Sequence, residues 1–368
     1  MSQDVVSKIR EKLGADVLQQ LDTTGDPKLS IPKRGVDNAI FDKDSGYLVL
    51  GDQKFERRMK DISDIRVFAQ TLEVASAIVE SREQQVYPSI RGIWYRVKPS
   101  GLFSSKIVKG KKGKSKEKGQ SESDDRIKDI EVLTGMLREE MGLSTRAKGQ
   151  MIGQITVETE IAGKILSADL STIPSPLQIP SDGDSLKISD VRAKFVLFVE
   201  KDTEYGELVR SGFADKYNCI MITASGQPDR GTRRFVRRLS EEHHLPVIVI
   251  TDLDPSGMQI FSVIRCGSIS LSYESFKLAC PKAQYLGMLP SDIKNFNIPE
   301  DELMEAEDSD IKTANRLLNC EWMKDFETEI KLFLKTKKKA ELESFSSKGF
   351  RFLQEEYLPM KLKVMGVI

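Results

Sequence analysis

The segment VIVITDLDPSG, residues 247–257, joins a run of β-branched apolar residues to two aspartates and a Pro-Ser-Gly turn. A short apolar run of this kind predicts a buried strand, and Pro255 and Gly257 predict where the strand ends. Residues two apart along an extended chain point to the same side, so we expect Asp252 and Asp254 to lie close together. Because two carboxylates at that distance repel each other, the pair suggests that a cation or a shared proton holds it.

The sequence around this segment predicts a parallel sheet. From about residue 190, short apolar runs such as KFVLFVE (194–200) alternate with helical stretches, which indicates parallel strands with right-handed crossovers. Glu200 ends its strand as Asp252 and Asp254 end theirs, and open parallel sheets bind ligands beyond the carboxyl ends of their strands. Three acids at one edge form the oxygen-rich kind of site that suits Mg²⁺, which could offset charge in a phosphoryl transfer. The alternative is a purely structural role, in which each acid caps a strand end or a helix.

Composition limits the classes of protein to consider. A length of 368 residues favours two or more domains, and an apolar fraction of 39% supports packed cores. Lys and Arg number 56, as do Asp and Glu, so any binding of nucleic acid must come from local patches. No apolar run approaches the roughly 20 residues of a membrane span, and no signal-peptide core begins the chain. We therefore expect no membrane association and a cytoplasmic location.

Cysteine and histidine usage points in the same direction. The four cysteines are far apart without metal-ligand spacing, which favours reduced thiols in a cytoplasmic protein. The only histidines are the adjacent pair His243 and His244, so chemistry based on a histidine base is disfavoured.

The first half of the chain predicts short elements of mixed type. Apolar residues recur at helical spacing in several segments, and a hairpin is indicated around an Asp-Ser-Gly turn. The predicted elements are a helix at 4–21, a hairpin at 38–51, helices at 65–85, from Ser89 and at 126–143, and a strand pair at 151–165. Short helices followed by a strand pair suit a winged helix-turn-helix domain. From about residue 301 the chain is highly charged and helical.

Two basic segments are candidates for nucleic-acid contacts. Five arginines fall at helical spacing and predict one cationic stripe that could bind phosphates: Arg230, Arg233, Arg234, Arg237 and Arg238. A solvated helix face is the alternative. The lysine-rich stretch at 104–125 resembles a P-loop only faintly, because no strand precedes it and the first glycine is missing. A disordered loop with nonspecific DNA contacts is the better interpretation of that stretch.

The acidic residues and their surroundings resemble a known family. VEKD (199–202) and DLDPSG (252–257) are similar to the Toprim domain shared by topoisomerases and primases. SGQPDRGTRRFVRRL (225–239) and IRCGSI (264–269) narrow the resemblance to the A subunits of DNA topoisomerase VI, a family related to the protein that starts meiotic recombination by cutting DNA. The similarity runs over most of the chain. It implies a multidomain α/β and α+β fold, with a winged helix-turn-helix domain and a Toprim domain whose parallel sheet is Rossmann-like.

The resemblance also implies a nucleophilic tyrosine. The family motif is an arginine, two residues, an aromatic residue and the reactive tyrosine, which SIRGIWY (89–95) matches with Arg91 and Tyr95. A free phenol has a pKa of about 10 and is a poor nucleophile at neutral pH, so Arg91 and Lys98 on the same helix face could favour the phenolate. The alternative is that Trp94 and Tyr95 are core aromatics.

The motif departs from the family pattern at two positions. Gly92 stands where the family has an acidic residue, and Trp94 replaces the first tyrosine of a pair. With Ser89 as the N-cap, a glycine at the third helical position removes the reciprocal capping-box bond. We expect this change to loosen the start of the helix by about 1 kcal/mol.

The family resemblance implies an organisation and a function. Residues 1–66 would be an N-terminal helix and hairpin extension, 67–148 the winged-helix domain carrying Tyr95, and 149–368 the Toprim domain with a C-terminal helical extension. The chain would cleave double-stranded DNA as a homodimer of A subunits within an A2B2 heterotetramer, in which the B subunit is the ATPase. An initiator of recombination that cuts without resealing, a catalytically inactive DNA-binding relative, and a Toprim primase or nuclease remain alternatives.

Overall fold

The structure is a computed structural model that describes residues 2–109, 115–161 and 163–368. It divides into two compact units. The first contains Met1–Ala39 and Leu50–Arg146, and the second contains Ile40–Val49 and Ala147–Ile368. The polypeptide therefore enters the second unit briefly, returns to the first, and then completes the second.

The elements are numbered in chain order. The helices are α1 (Ser2–Arg10), α2 (Asp16–Thr24), α3 (Ile65–Glu83), α4 (Ile90–Val97), α5 (Lys118–Thr134), α6 (Asp202–Arg210), α7 (Phe213–Tyr217), α8 (Arg230–Glu242), α9 (Pro255–Cys266), α10 (Ser275–Leu278), α11 (Asp292–Asn295), α12 (Asp308–Leu318), α13 (Glu327–Thr336) and α14 (Leu358–Val364). The strands are β1 (Lys28–Pro32), β2 (Ala39–Asp42), β3 (Tyr47–Leu50), β4 (Lys54–Arg58), β5 (Ile107–Lys109), β6 (Ser115–Glu117), β7 (Gln150–Gly153), β8 (Ile155–Ile161), β9 (Lys164–Asp169), β10 (Leu177–Gln178), β11 (Lys187–Val191), β12 (Phe195–Val199), β13 (Cys219–Thr223), β14 (Val247–Ile250), β15 (Gln284–Gly287), β16 (Met304–Glu305) and β17 (Lys338–Lys339).

The first unit is mostly helical, and its helices pack through the apolar stripes that the sequence predicts. Val5, Ile9, Leu13 and Val17 are buried, although a π-helical turn at Glu11–Ala15 joins α1 to α2. Helices α3, α4 and α5 pack against one another, and β1 pairs with β4 in antiparallel fashion. The predicted helices at 65–85 and from Ser89 are thereby confirmed.

The helix predicted at 126–143 has different bounds. Helix α5 begins at Lys118 and ends at Thr134, where Gly135 adopts a left-handed conformation with φ of 67°. Glycine adopts this conformation without the steric cost that other residues bear, so it ends the helix inside the predicted span. The expectation of a disordered lysine-rich loop is wrong for the described part of 104–125, because β5, β6 and the start of α5 lie there; residues 110–114 lie outside the described residues.

The strand pair predicted at 151–165 belongs to the second unit, so the expectation that it completes a winged helix-turn-helix domain is wrong. Strand β7 pairs with β13 in a six-stranded sheet, whose order is β10-β7-β13-β12-β14-β15. Strands β8 and β9 form a separate sheet with β11. Gly153, the last residue of β7, packs so closely on the carbonyl of Cys219 that a Cβ would lie 2.2 Å from it. The chain can therefore change sheets at this position only because it has a glycine there.

The large sheet confirms the predicted parallel arrangement in its centre. Strands β13, β12, β14 and β15 are parallel, and β7 and β10 continue the sheet in antiparallel fashion. All the residues of β12, β13 and β14 are buried, as continuous apolar runs predict. Val199 pairs with both Thr223 and Ile250, so the residues after β12 and β14 emerge at the same edge.

The hairpin of β2 and β3 confirms the prediction for 38–51, and most of it belongs to the second unit. Phe41 lies 5.8 Å from Trp322 between ring centroids, and the Arg237 guanidinium lies 5.6 Å from the centroid of the Tyr47 ring. None of the helices within the described ranges has the length and apolar character that a membrane crossing needs.

Candidate active site

Helix α4 presents Tyr95 on the surface of the first unit. Ser89 caps the helix, its hydroxyl accepting a 3.0 Å hydrogen bond from the Gly92 amide, as the sequence predicts. Tyr95 is 55% exposed, whereas the neighbouring Trp94 is 3% exposed and packs edge-on against Phe103. Of the two aromatics, only Trp94 is therefore a core residue. The Tyr95 hydroxyl is accessible to a substrate.

Arg91 is the residue that contacts the Tyr95 hydroxyl. Its Nη2 donates a 3.1 Å hydrogen bond to Tyr95 Oη, and its guanidinium lies 5.5 Å from the centroid of the Tyr95 ring. Lys98 has other partners, because its Nζ lies 2.8 Å from Glu117 and 5.7 Å from the centroid of the Trp94 ring. Arg91 can therefore stabilise a phenolate directly, whereas Lys98 must first leave Glu117.

Glu200, Asp252 and Asp254 lie at the same edge of the large sheet, which we call the acidic edge. Glu200 follows β12, and its amide donates a 3.1 Å hydrogen bond to the Ile250 carbonyl at the end of β14. Asp254 is the N-cap of α9 and accepts a hydrogen bond from the Gly257 amide, which fixes its carboxylate at the start of that helix. Parallel pairing of β12 and β14 is thus what brings the three acids together.

Burial and mutual repulsion perturb these acids. Burial and the charges of Asp254 and Asp252 raise the pKa of Glu200 to about 7. Burial also raises the pKa of Asp254, although the hydrogen bond from Gly257 opposes the change. Burial raises the pKa of Asp252 against the opposing effects of the Leu342 amide and Lys201. All three carboxylates are therefore costly to ionise without a cation nearby.

Two observations bear on whether the three acids fit a divalent cation. Glu200 Oε2 is buried and has no hydrogen-bond partner, which is the situation that a cation would relieve. Within residues 2–109, 115–161 and 163–368, however, no three His, Cys, Asp or Glu side chains are grouped tightly enough to hold a metal ion as they stand. The acids thus fit the cation in donor chemistry, but not in their present spacing.

The sequence and its relatives identify the family. The chain is 42% identical to the A subunit of type 2 DNA topoisomerase 6 from Aeropyrum pernix, with 92% of this chain and 89% of that protein covered. It is 40% identical to the protein of the same name from Sulfurisphaera tokodaii, with 99% and 98% covered. The A subunit of DNA topoisomerase 6 from Arabidopsis thaliana is 31% identical, with 91% and 74% covered. The chain belongs to the family of DNA topoisomerase VI A subunits.

Two family models support this membership, and each includes one of the two groups of candidate residues. Residues 195–362 match the model for the Toprim domain shared by Spo11 and the A subunit of topoisomerase 6, and this range contains Glu200, Asp252 and Asp254. Residues 66–143 match the model described as type IIB DNA topoisomerase, and this range contains Arg91 and Tyr95. The predicted resemblance to topoisomerase VI A subunits is therefore confirmed.

Sequence reasoning missed the residues that hold Asp252. The Lys201 Nζ lies 3.2 Å from Asp252 Oδ2, 3.2 Å from Glu341 Oε2 and 2.8 Å from Glu343 Oε2. Burial disfavours the charged form of Lys201, but Glu343 and Asp252 outweigh this effect and raise its pKa. Lys201 immediately follows Glu200 in the sequence. The sequence alone does not show which acids it pairs with, because Glu341 and Glu343 lie far along the chain.

A C-terminal segment completes this side of the acidic edge. Leu253 forms a bridge with Ala340 through hydrogen bonds of 2.9 and 3.2 Å, and the Leu342 amide donates a 2.8 Å hydrogen bond to Asp252 Oδ1. Glu204 is buried beside Glu343, and burial together with that neighbour raises its pKa. In this member of the topoisomerase VI family, the acidic edge is therefore built from two distant stretches of sequence.

The arginines of α8 do not form a free cationic stripe. Arg230 and Arg233 are buried and both pair with the buried Glu274, the second at 3.1 Å. Arg237 donates a hydrogen bond to the Ala279 carbonyl. The remaining two also have partners within the unit: Arg234 pairs with Asp184, and Arg238 donates to the carbonyls of Gly183 and Leu186 and pairs with Glu242. These contacts hold α8 to neighbouring segments, so the expectation of one exposed stripe is wrong, and the role of these arginines in DNA binding stays a prediction.

Proposed function

We infer that this chain is the catalytic, DNA-cleaving component of an ATP-dependent type IIB DNA topoisomerase. The enzyme makes transient double-strand breaks with 5′-phosphotyrosine links, and by doing so relaxes and decatenates DNA. The observation that carries the inference is an exposed tyrosine whose hydroxyl is hydrogen-bonded by Arg91, at the position that the family motif gives to the nucleophile.

Tyr95 is the proposed nucleophile. Its oxygen attacks the phosphorus of a DNA phosphodiester, the bond to the 3′ oxygen breaks, and the 5′ phosphate stays on the tyrosine. Arg91 stabilises the phenolate and the negative charge of the attacked phosphate through charge-assisted hydrogen bonds. Because the new phosphodiester link retains the energy of the old one, the 3′ hydroxyl can reverse the attack and reseal the strand.

Glu200, Asp252 and Asp254 would hold Mg²⁺. The ion, when bound, supplies positive charge that offsets the charge gathering on the reacting phosphate. Glu200 has the clearest need for such a cation, because one of its oxygens is buried without a partner. Asp254 is held in place by its cap on α9, so its direction does not depend on the cation.

We propose that residues 67–148 form a winged helix-turn-helix domain, residues 149–368 a Toprim domain with a C-terminal extension, and residues 1–66 an N-terminal extension. The packing of α3, α4 and α5 supports a helical DNA-binding domain around Tyr95. Double-stranded DNA would bind across a homodimer of A subunits, in which the tyrosine of one chain meets the acids of the other. Two ATPase B subunits would complete an A2B2 heterotetramer, since two-fold symmetry gives two equivalent cleavage sites.

Covalent trapping on DNA tests this proposal. The chain is incubated with its B subunit, ATP, MgCl₂ and supercoiled plasmid, and protein–DNA adducts are counted after denaturation. Tyr95→Phe should abolish the adducts and leave DNA binding nearly unchanged. Tyr87→Phe is the matched control, because Tyr87 is also an exposed tyrosine of the first unit and should be dispensable.

Each outcome has a defined meaning. Adducts that persist in Tyr95→Phe would overturn the assignment of the nucleophile. Plasmid relaxation by the wild-type protein would demonstrate resealing, whereas linear product without relaxation would identify a protein that only cuts. Absence of Mg²⁺-dependent adducts from the wild-type protein would identify a DNA-binding relative without catalysis.

A further inference from the structure

Both carboxylate oxygens of Asp252 already have partners. The Leu342 amide donates to Oδ1 at 2.8 Å, and the Lys201 ammonium lies 3.2 Å from Oδ2. A divalent cation that takes Asp252 as a ligand brings its positive charge next to the Lys201 ammonium, so the two cations compete for the same carboxylate. The Leu342 amide is fixed by the pairing of the adjacent backbone, in which Leu253 and Ala340 are bridged. Lys201, at the end of a flexible side chain, is the partner that can leave.

Lys201 also has two other anions to receive its charge. Its Nζ lies 2.8 Å from Glu343 Oε2 and 3.2 Å from Glu341 Oε2, and these side chains are about half exposed. A small movement away from Asp252 therefore keeps two of its three ion pairs. The pair that is lost involves the buried Asp252, and the bound cation replaces Lys201 there as the neutralising charge.

We propose that Lys201 is a positioning residue that acts as the internal counter-cation of the acidic edge and competes with the divalent cation for Asp252. Without metal, Lys201 neutralises Asp252 and keeps the three acids from forming a closed ligand set, in agreement with the lack of a preassembled three-ligand group among the described residues. When the cation binds, Lys201 moves onto Glu341 and Glu343 and frees Asp252 Oδ2. This inference rests on the proposed function in taking Glu200, Asp252 and Asp254 as the metal ligands.

The competition has opposite consequences for two variants. Lys201→Met removes the competitor, so Mg²⁺ should bind more tightly even though the metal-free protein loses an ion pair and becomes less stable. Glu343→Gln removes the nearest alternative anion, so Lys201 should stay on Asp252 and Mg²⁺ should bind more weakly. A lysine with a purely structural role would instead weaken Mg²⁺ binding when it is removed.

Removing any positive charge near the acids would also favour a cation, so the test needs a matched charge change. Lys339 provides it, because its Nζ pairs with Asp310 at 2.8 Å and its charge acts on Asp254 without touching Asp252. Lys339→Met therefore changes the net charge of the edge as Lys201→Met does. Only Lys201→Met removes the lysine that pairs with Asp252.

The experiment is a calorimetric titration of the full-length chain with MgCl₂ at constant ionic strength, alongside the melting temperature with and without the ion. Lys201→Met should lower the Mg²⁺ dissociation constant by roughly fivefold or more relative to wild type, and clearly more than Lys339→Met does. Glu343→Gln should raise the Mg²⁺ dissociation constant. This variant tests the same competition if Lys201→Met fails to fold. Equal effects of the two lysine variants, or weaker binding by Lys201→Met, would overturn the competition. Absence of Mg²⁺ binding by the wild-type chain would overturn the assignment of Glu200, Asp252 and Asp254 as metal ligands. This result differs from the two results that overturn only the competition by Lys201.

Discussion

The backbone amide of Leu342 donates a 2.8 Å hydrogen bond to the carboxylate of Asp252, across 90 residues of sequence. This bond and the bridge between Leu253 and Ala340 hold the segment after α13 against the acidic edge. The family model for the Toprim domain extends to residue 362 and so includes this segment. Asp252 depends on this segment, because the Leu342 amide is one of the two partners that fix the direction of its carboxylate.

Stability without metal should fall as the pH rises through the titration of Glu200. Below pH 4.5 both the folded and the unfolded states hold the proton; between 4.5 and about 7 only the folded state does, so the free energy of unfolding decreases by up to about 3 kcal/mol. Urea titrations in EDTA between pH 4.5 and 8 measure this slope. Glu200→Gln should make the slope shallower, since glutamine does not titrate while Glu204, whose pKa is also raised, still contributes; equal slopes for the two proteins would contradict the assignment.

Removal of Arg91 should slow covalent cleavage more than it weakens DNA binding. Arg91→Ala deletes the donor to the Tyr95 hydroxyl, and we expect adducts to form about 100-fold more slowly, the usual effect of losing one donor at a developing charge. Arg96→Ala is the control on the same helix, because Arg96 pairs with Glu80 at 2.8 Å. The measurement is the single-turnover rate of adduct formation by the two variants and the wild-type protein. A comparable loss in both variants would show that the helix, and not the contact with Tyr95, was at fault.

The start of α4 should be open to stabilisation at Gly92. A Cβ there would lie 3.4 Å from its nearest neighbour, Pro88 Cβ, which is an ordinary contact. Gly92→Ala should therefore raise the free energy of unfolding by about 0.5–1 kcal/mol, through the higher helix propensity of alanine. Gly92→Glu should add the missing capping-box bond to the Ser89 amide. Thermal denaturation measures both changes, and a loss of stability in Gly92→Ala would refute the geometry of the helix start.

The pairing of Arg230 and Arg233 with Glu274 should be a strong determinant of stability. Glu274→Ala leaves two buried guanidinium groups without their shared anion, so we expect a loss of about 3–5 kcal/mol. Asp184→Ala breaks contacts of a half-exposed carboxylate with Arg234 and Arg238, and should cost less than about 1 kcal/mol. Chemical denaturation provides both values, and similar losses would mean that the buried group does not have the stabilising role assigned to it.

The same helix allows a test of the predicted DNA contacts. If Arg234 binds a DNA phosphate, Arg234→Gln should reduce the slope of log affinity against log salt concentration by about 1. The contacts within the second unit favour an unchanged slope. Fluorescence anisotropy of a labelled duplex over a range of KCl concentrations distinguishes these outcomes.

Sequence alone predicted the features that depend on neighbouring residues. The Ser89 cap follows from the start of a helical pattern and the acids after β12 and β14 from the termination of apolar runs, whereas Tyr95 was predicted only from the resemblance of SIRGIWY to the family motif. Lys201 was adjacent to Glu200 in the sequence, but its role depends on Glu341 and Glu343, which lie far along the chain. Local patterns cannot reveal such pairings, and they also gave no warning that Glu274 neutralises part of the arginine stripe.

The early start of α5 escaped prediction for a related reason. Lysine, glycine and serine at 104–125 have the composition of a loop, yet Gly119 is buried in the helix, and a Cβ there would lie 2.5 Å from Trp94 Cη2. Arg126, which looked like the first helical residue, is buried and pairs with Asp129 at 2.9 Å. Tertiary packing thus extends a helix through residues whose intrinsic preferences oppose it.

The hairpin at residues 40–49 can complete its packing only late in translation. It emerges from the ribosome well before Arg237 and Trp322, the residues against which Tyr47 and Phe41 pack. Domains generally fold as units while translation proceeds from the N-terminus, but here an early strand pair must wait until the residues around it have been made. A fragment that begins at residue 147 would lack these two aromatic partners from the outset, so expressing the Toprim region by itself should yield an incompletely packed polypeptide.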